Sequence, residues 1–116
     1  DEVSGLTLLM RAARYGHERV VELLLQHGAE VNLQDSVGIT ALMDAAHQGH
    51  ERVVELVDLL LLQRGAEINL QRSDGGTALI IAAGYGHERV VELLLRHGAE
   101  IDLQTSEGIT ALMGAA

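Results

Sequence analysis

The chain has no cysteine, proline, lysine, phenylalanine or tryptophan, and its aromatic rings of carbon are the two tyrosines, Tyr15 and Tyr85. Without cysteine there is neither a disulfide framework nor a thiol nucleophile, and the chain suits a reducing compartment. No basic stretch followed by an apolar one opens the sequence, so a cytoplasmic or otherwise intracellular location is the expectation. The most apolar run, Val53 to Leu62, is broken by Glu55 and Asp58 and is too short to span a bilayer. The missing lysines exclude a further class. Only 8 basic residues face 17 acidic ones, for a formal charge of −9. A nucleic-acid binder needs clustered cations to neutralise phosphates. Here the arginines are scattered and mostly flanked by glutamate, so neither nucleic acid nor an anionic membrane is an expected partner. A neutral or basic protein surface fits better.

What the chain does have is repetition. His17-Glu18-Arg19-Val20-Val21-Glu22-Leu23 returns at 50–56 and at 87–93, each time after glycine and ahead of a leucine run and a Gly-Ala-Glu step. Thr7 and Thr40 are 33 residues apart, Thr40 and Thr77 37 apart, and Thr77 and Thr110 33 apart. Such a period marks one supersecondary unit built several times and stacked, because a single copy cannot bury its own apolar face. Aliphatic and alanine side chains, at 47% hydrophobic residues overall, suit thin layers of closely packed helices. The 116 residues therefore form one domain.

The second copy shows what each unit builds. Asp35-Ser36-Val37-Gly38-Ile39 is turn chemistry, with aspartate opening and glycine supplying a positive φ. Thr40 then caps a helix with its hydroxyl. Leu42, Ala45 and Ala46 fall at helical spacing, and the alanines permit close approach of neighbours. Gly49 ends that helix in a left-handed cap. A second helix starts near His50 and Glu51, with the carboxylate at its positive end. It buries Val53, Val54 and the following leucines until Gly65 stops it. Copies one and three repeat the scheme, with Gly16 and Gly86 between helices and Gly28 and Gly98 at the end.

The sequence Gly38-Ile39-Thr40-Ala41-Leu42-Met43, Ala45-Ala46, Gly49-His50-Glu51-Arg52-Val53-Val54-Glu55-Leu56 and Gly65-Ala66-Glu67-Ile68-Asn69 resembles the ankyrin repeat. The resemblance spans repeats 2–34, 35–71 and 72–104 and a half unit from 105 to 116. It implies an all-α solenoid of stacked helix-turn-helix units with projecting hairpin loops and a concave face. It also implies a non-enzymatic module for protein–protein interaction.

Three departures from the family pattern stand out. Many ankyrin repeats open with Thr-Pro-Leu-His, whereas this chain has Thr7-Leu8-Leu9-Met10, Thr40-Ala41-Leu42-Met43, Thr77-Ala78-Leu79-Ile80 and Thr110-Ala111-Leu112-Met113. Losing proline removes a φ preset, and losing histidine removes a partner for the threonine. Copy two carries four extra residues near 57–60. Four residues turn a helix by about 400° and advance it ~6 Å, so the buried stripe returns within about 40° and an extended helix is expected, with a local bulge as the alternative. Finally, Leu112 and Met113 have no second helix following them to cover them. Solenoids need polar caps, so the expectation is a piece of a longer array, a minimal array, or an end that self-associates.

Candidate chemistry is sparse. His-Glu-Arg-Val-Val resembles the start of a zincin motif, but Val21, Val54 and Val91 stand where the second histidine belongs. His17, His50 and His87 lie one repeat apart, too far to share a metal with ligands near 2 Å. His47 and His50 straddle the break at Gly49. His27 and His97 precede a terminating glycine, where a cation suits a helix C-terminus. Gly84-Tyr85-Gly86 and Gly75-Gly76 lack the context of a phosphate loop. Glu22, Glu55 and Glu92 belong to the solvated side of the second helix, with Glu92 and Arg96 an i,i+4 pair. Ser36, Ser73 and Ser106 sit in turns with no base to activate them. No catalytic residue, metal or cofactor is expected.

Positions where the copies disagree carry more information. Against a nearly invariant framework, variation gathers at the turn tips, namely Val3, Ser4, Leu6, Ser36, Val37, Ile39, Ser73 and Asp74. It gathers also on the first helix of each unit, at Arg11, Arg14, Tyr15, Asp44, His47, Gln48, Ile81 and Tyr85. In ankyrin repeats these places line the groove that meets a protein partner, and tyrosine is an efficient interface residue. The near-identity of the copies equally fits an engineered scaffold without a natural partner. A regulatory segment of a larger enzyme is a third reading.

Overall fold

The computed structural model describes residues 7–64, 68–101 and 103–105, with side chains described throughout except at 58–64. Six helices follow in order: α1 (Leu8–Arg14), α2 (Glu18–Gln26), α3 (Ala41–Gln48), α4 (Glu51–Arg64), α5 (Ala78–Gly84) and α6 (Glu88–Arg96). No strand occurs among the described residues.

Local chemistry starts and stops these helices as the residue types require. The hydroxyls of Thr7, Thr40 and Thr77 accept from the backbone N–H of Met10, Met43 and Ile80 at 3.1, 3.2 and 3.2 Å. Each bond satisfies one of the N–H groups a helix start leaves without a partner. At the far end of α3, Gly49 adopts φ 73°. Its N–H donates to Ala46 O, and the His50 N–H to Ala45 O. That is the double closure of a Schellman turn, and α1 and α5 end in the same pair of bonds, from Gly16 and His17 and from Gly86 and His87.

The helices form two layers. Each unit folds as a hairpin, α1 on α2, α3 on α4, α5 on α6. First helices stack as α1–α3–α5 and second helices as α2–α4–α6. The alanines Ala12, Ala13, Ala45, Ala46, Ala82 and Ala83 are all buried between the rows, where small side chains let helices approach. Val21, Leu25, Val53, Val54, Val57, Val90 and Leu94 are fully enclosed. Each such side chain contributes about 1.5–3 kcal/mol relative to exposure. Helix α4 is continuous over 14 residues where α2 and α6 have 9, so the insertion is taken up as added helix. The side chains of Leu59 to Leu62, Gly65, and the half unit with Thr110, Leu112 and Met113 lie outside what is described. So does the self-association face expected there.

Two ladders tie one unit to the next. His50 Nε2 donates to Arg14 O at 2.8 Å, and His87 Nε2 to His47 O at 2.9 Å. A carbonyl only accepts, so Nε2 carries the proton in both rings. These bonds occupy last-turn carbonyls of the preceding first helix, which gives the histidines of copies two and three a structural role. Gln34 Nε2 bridges Gly38 O and Gln71 O, both at 3.0 Å. Gln71 Nε2 repeats the bridge to Gly75 O at 2.9 Å and Gln104 O at 3.2 Å. The glutamine ladder escaped the sequence reading, although a Leu-Gln step recurs as Leu33-Gln34, Leu70-Gln71 and Leu103-Gln104.

Candidate functional site

The turn before α3 is organised by Asp35, whose Oδ1 accepts from the N–H of Val37 and of Ile39, both at 2.9 Å. In the next unit Arg72 stands at that position and Asp74 takes over, accepting from Gly76 N–H and from Arg72 Nε, both at 2.8 Å. The two turns touch, with Ser73 N–H donating to Val37 O at 2.7 Å. Ser36, Val37, Ser73 and Asp74 remain exposed at these tips, and Ile39 is half-buried against the core.

Behind the tips, the first helices place their variable residues on one side. A cavity of about 350 Å³ opens there, lined by Arg14, Ile39, Met43, Asp44, His47, Gln48, Arg72 and Ile81. Six of these eight were singled out from the disagreement between copies. Met43 and Arg72 were not. Arg72 carried the same signal, since the copies read Asp35, Arg72 and Thr105 at that place, whereas Met43 belongs to the framework. Tyr85 is 61% exposed and meets the His47 ring edge-on, centroids 4.4 Å apart. Tyr15 is 62% exposed with its ring centroid 6.3 Å from that of His17, while Arg11 is exposed on α1. Val3, Ser4 and Leu6 lie outside the described residues.

Asp44 and Ile81 differ from a simple exposed surface, being 7% and 5% exposed. They form the cavity floor because α3 lies between two neighbours and α5 packs on it. Arg14 Nε donates to Asp44 Oδ1 at 3.3 Å, and Asp44 Oδ2 has no hydrogen-bond partner. Burial raises the Asp44 carboxyl above its ordinary 3.8, with the Arg14 charge opposing. Asp74 is lowered, first by its bond from Arg72 and then by Gly76 N–H.

These shifts act on stability with opposite signs. A raised acid binds its proton more tightly folded than unfolded, so stability is gained as pH falls through the raised value toward 3.8. For Asp74 the stabilisation is present above 3.8 and is lost as pH falls below it. In chemical denaturation from pH 7 to pH 4, Asp44→Asn is expected to lose the acid-side gain that the unmodified chain shows. Equal pH slopes for the two proteins would contradict the assigned burial effect.

Among the described residues no group of three or more His, Asp or Glu is arranged to hold a metal ion. None of their helices is long and apolar enough to cross a membrane.

Stacked helical hairpins with turn tips in register define an all-α repeat solenoid. The family profile described as "Ankyrin repeats (3 copies)" matches residues 1–59 and 42–116. The chain belongs to the ankyrin-repeat family. Ankyrin repeats generally mediate protein–protein interaction and are typically not enzymes. No curated protein matches the chain as a relative.

Proposed function

We propose that the chain binds a protein partner through its turn tips and first-helix face. The supporting observation is convergence. Residues that differ between otherwise near-identical copies, Arg14, Asp44, His47, Gln48 and Ile81 among them, share one cavity on one side of the stack. Tyr85 at the rim and Tyr15 on α1 supply exposed aromatic area of the kind that dominates binding energy at interfaces. The site offers no nucleophile–base pair and no metal cluster among its described residues, so recognition is the chemistry that its side chains support.

Peptides selected from a random displayed library test the reading. Tyr15→Ala or Tyr85→Ala is expected to weaken selected binders about tenfold or more, the scale of an interface hot spot. Binders indifferent to both changes would count against the groove. The near-identity of the copies favours a second reading, an engineered scaffold with no natural partner. Its mark would be a groove that accepts selected peptides but no segment of any natural protein.

A further inference from the structure

We propose that the cavity between α1, α3 and the turn before α5 receives an acidic side chain, aspartate or glutamate, from the bound partner, held by the guanidinium groups of Arg14 and Arg72. This rests on the groove reading and adds the partner's chemistry to it. The two arginines come from different units and line the same cavity. Each is a permanent cation that the sister copies lack at its place. One place reads Arg14, His47 and Gly84 along the chain, and the other Asp35, Arg72 and Thr105. Stacking of the units brings the two exceptions together.

The donors are unspent and within reach of solvent. Arg14 uses Nε on Asp44 Oδ1 at 3.3 Å, and Arg72 uses Nε on Asp74 Oδ1 at 2.8 Å. A guanidinium carries five N–H donors, so the terminal Nη groups of both remain for a further acceptor. Their side chains are 35% and 32% exposed. Gln48 Nε2 donates to His47 Nδ1 at 2.9 Å, which puts the proton of the neutral ring on Nε2 and adds a third donor to the lining residues. Acceptors are scarce by comparison. Asp44 is the one carboxylate in the lining, with Oδ1 taken by Arg14 and Oδ2 closed to solvent. Asp35 and Asp74 flank the cavity and spend Oδ1 on turn N–H groups.

A cavity lined by donors fits an acceptor, and the planar guanidinium fork matches a carboxylate. Ile39, Met43 and Ile81 supply apolar wall for the methylene groups of that side chain. At about 350 Å³ the space lies at the lower end of the ~300–1,000 Å³ range of ligand pockets, a fit for one side chain. The overall charge of −9 confines the preference to this cavity. One carboxylate on an otherwise neutral or basic partner surface satisfies both.

Two-dimensional amide NMR on the intact chain at neutral pH tests this with Nα-acetyl-glutamate amide and Nα-acetyl-aspartate amide. Nα-acetyl-glutamine amide, glutamate's neutral isostere, is the control. The anionic probes are expected to shift the Asp44, His47 and Arg72 amides saturably, and glutamine to bind at least about tenfold more weakly. Arg72→Gln should weaken glutamate by a similar factor, and Arg72→Lys, which keeps the charge without the fork, by less. On the exposed rim, Gln48→Lys should strengthen glutamate several-fold and Gln48→Glu weaken it. Absence of saturable shifts, equal binding of glutamine, or indifference to Arg72→Gln would overturn the proposal. Should Arg72→Gln disturb the turn, the two changes at Gln48 decide, and equal affinities for them would overturn it as well. Library peptides that depend on Tyr15 and Tyr85 while glutamate leaves these amides unmoved would keep the groove and remove the pocket.

Discussion

Leu93→Ala is expected to cost about 2–5 kcal/mol of unfolding free energy, and Leu23→Ala less than about 1 kcal/mol. The two leucines occupy the same place in the same seven-residue string. Leu93 is 2% exposed because α6 packs against α4, whereas Leu23 is 40% exposed on the side of α2 turned away from α4. The valines behave likewise, Val90 at 0% and Val20 at 46%. The opposite side reverses the order, with Leu25 at 0% and Leu95 at 41%. Removing a buried side chain loses its transfer energy and leaves a cavity, while truncating a half-exposed one loses only part of the first term. Urea denaturation followed by helical circular dichroism reads the difference. Equal losses at 23 and 93 would mean that burial does not arise between layers, and the stacked-hairpin account would fail.

The second large effect falls on a pair of glycines. Gly49 and Gly86 share φ 73°, and each closes a first helix. Among the described residues, a Cβ added at Gly86 meets no atom within 4 Å, so the loss is that of a left-handed Cβ alone, about 1–2 kcal/mol. At Gly49 an added Cβ would stand 2.7 Å from His87 Nδ1. The ring would have to shift, and its bond to His47 O would stretch or break. Losing that bond adds about 1–3 kcal/mol, so Gly49→Ala is expected to be clearly the worse of the two. Thermal denaturation of both variants checks this. Similar melting temperatures would show that the histidine ladder does not couple the layers.

Much of the molecule was legible before any coordinates. Thr40 as a cap, Gly49 as a left-handed stop and Asp35-Ser36-Val37-Gly38 as a turn are decided within a few residues. Backbone sterics and local hydrogen bonds act at that range. The period then reveals the architecture, because copies with one apolar face each can bury it only by stacking. The insertion was readable for the same reason, since a helix tolerates a whole added turn. The candidate groove was half legible. Disagreement between copies pointed to Arg14, Asp44, His47 and Ile81, but it did not separate exposed Tyr85 from buried Asp44.

By itself, then, the amino-acid order determined the repeat, the caps, the turns and the all-helical class, all of which depend on neighbours along the chain. Only the tertiary structure decided what identical strings experience. It enclosed Val90 and left Val20 half-open, brought Arg72 of a turn to the same cavity as Asp44 of a helix, and left Asp44 Oδ2 without a donor. The physical reason is that burial and electrostatic pairing depend on which layer lies alongside. A residue that repeats along the chain has no repeating environment when the helices packed on either side of it differ.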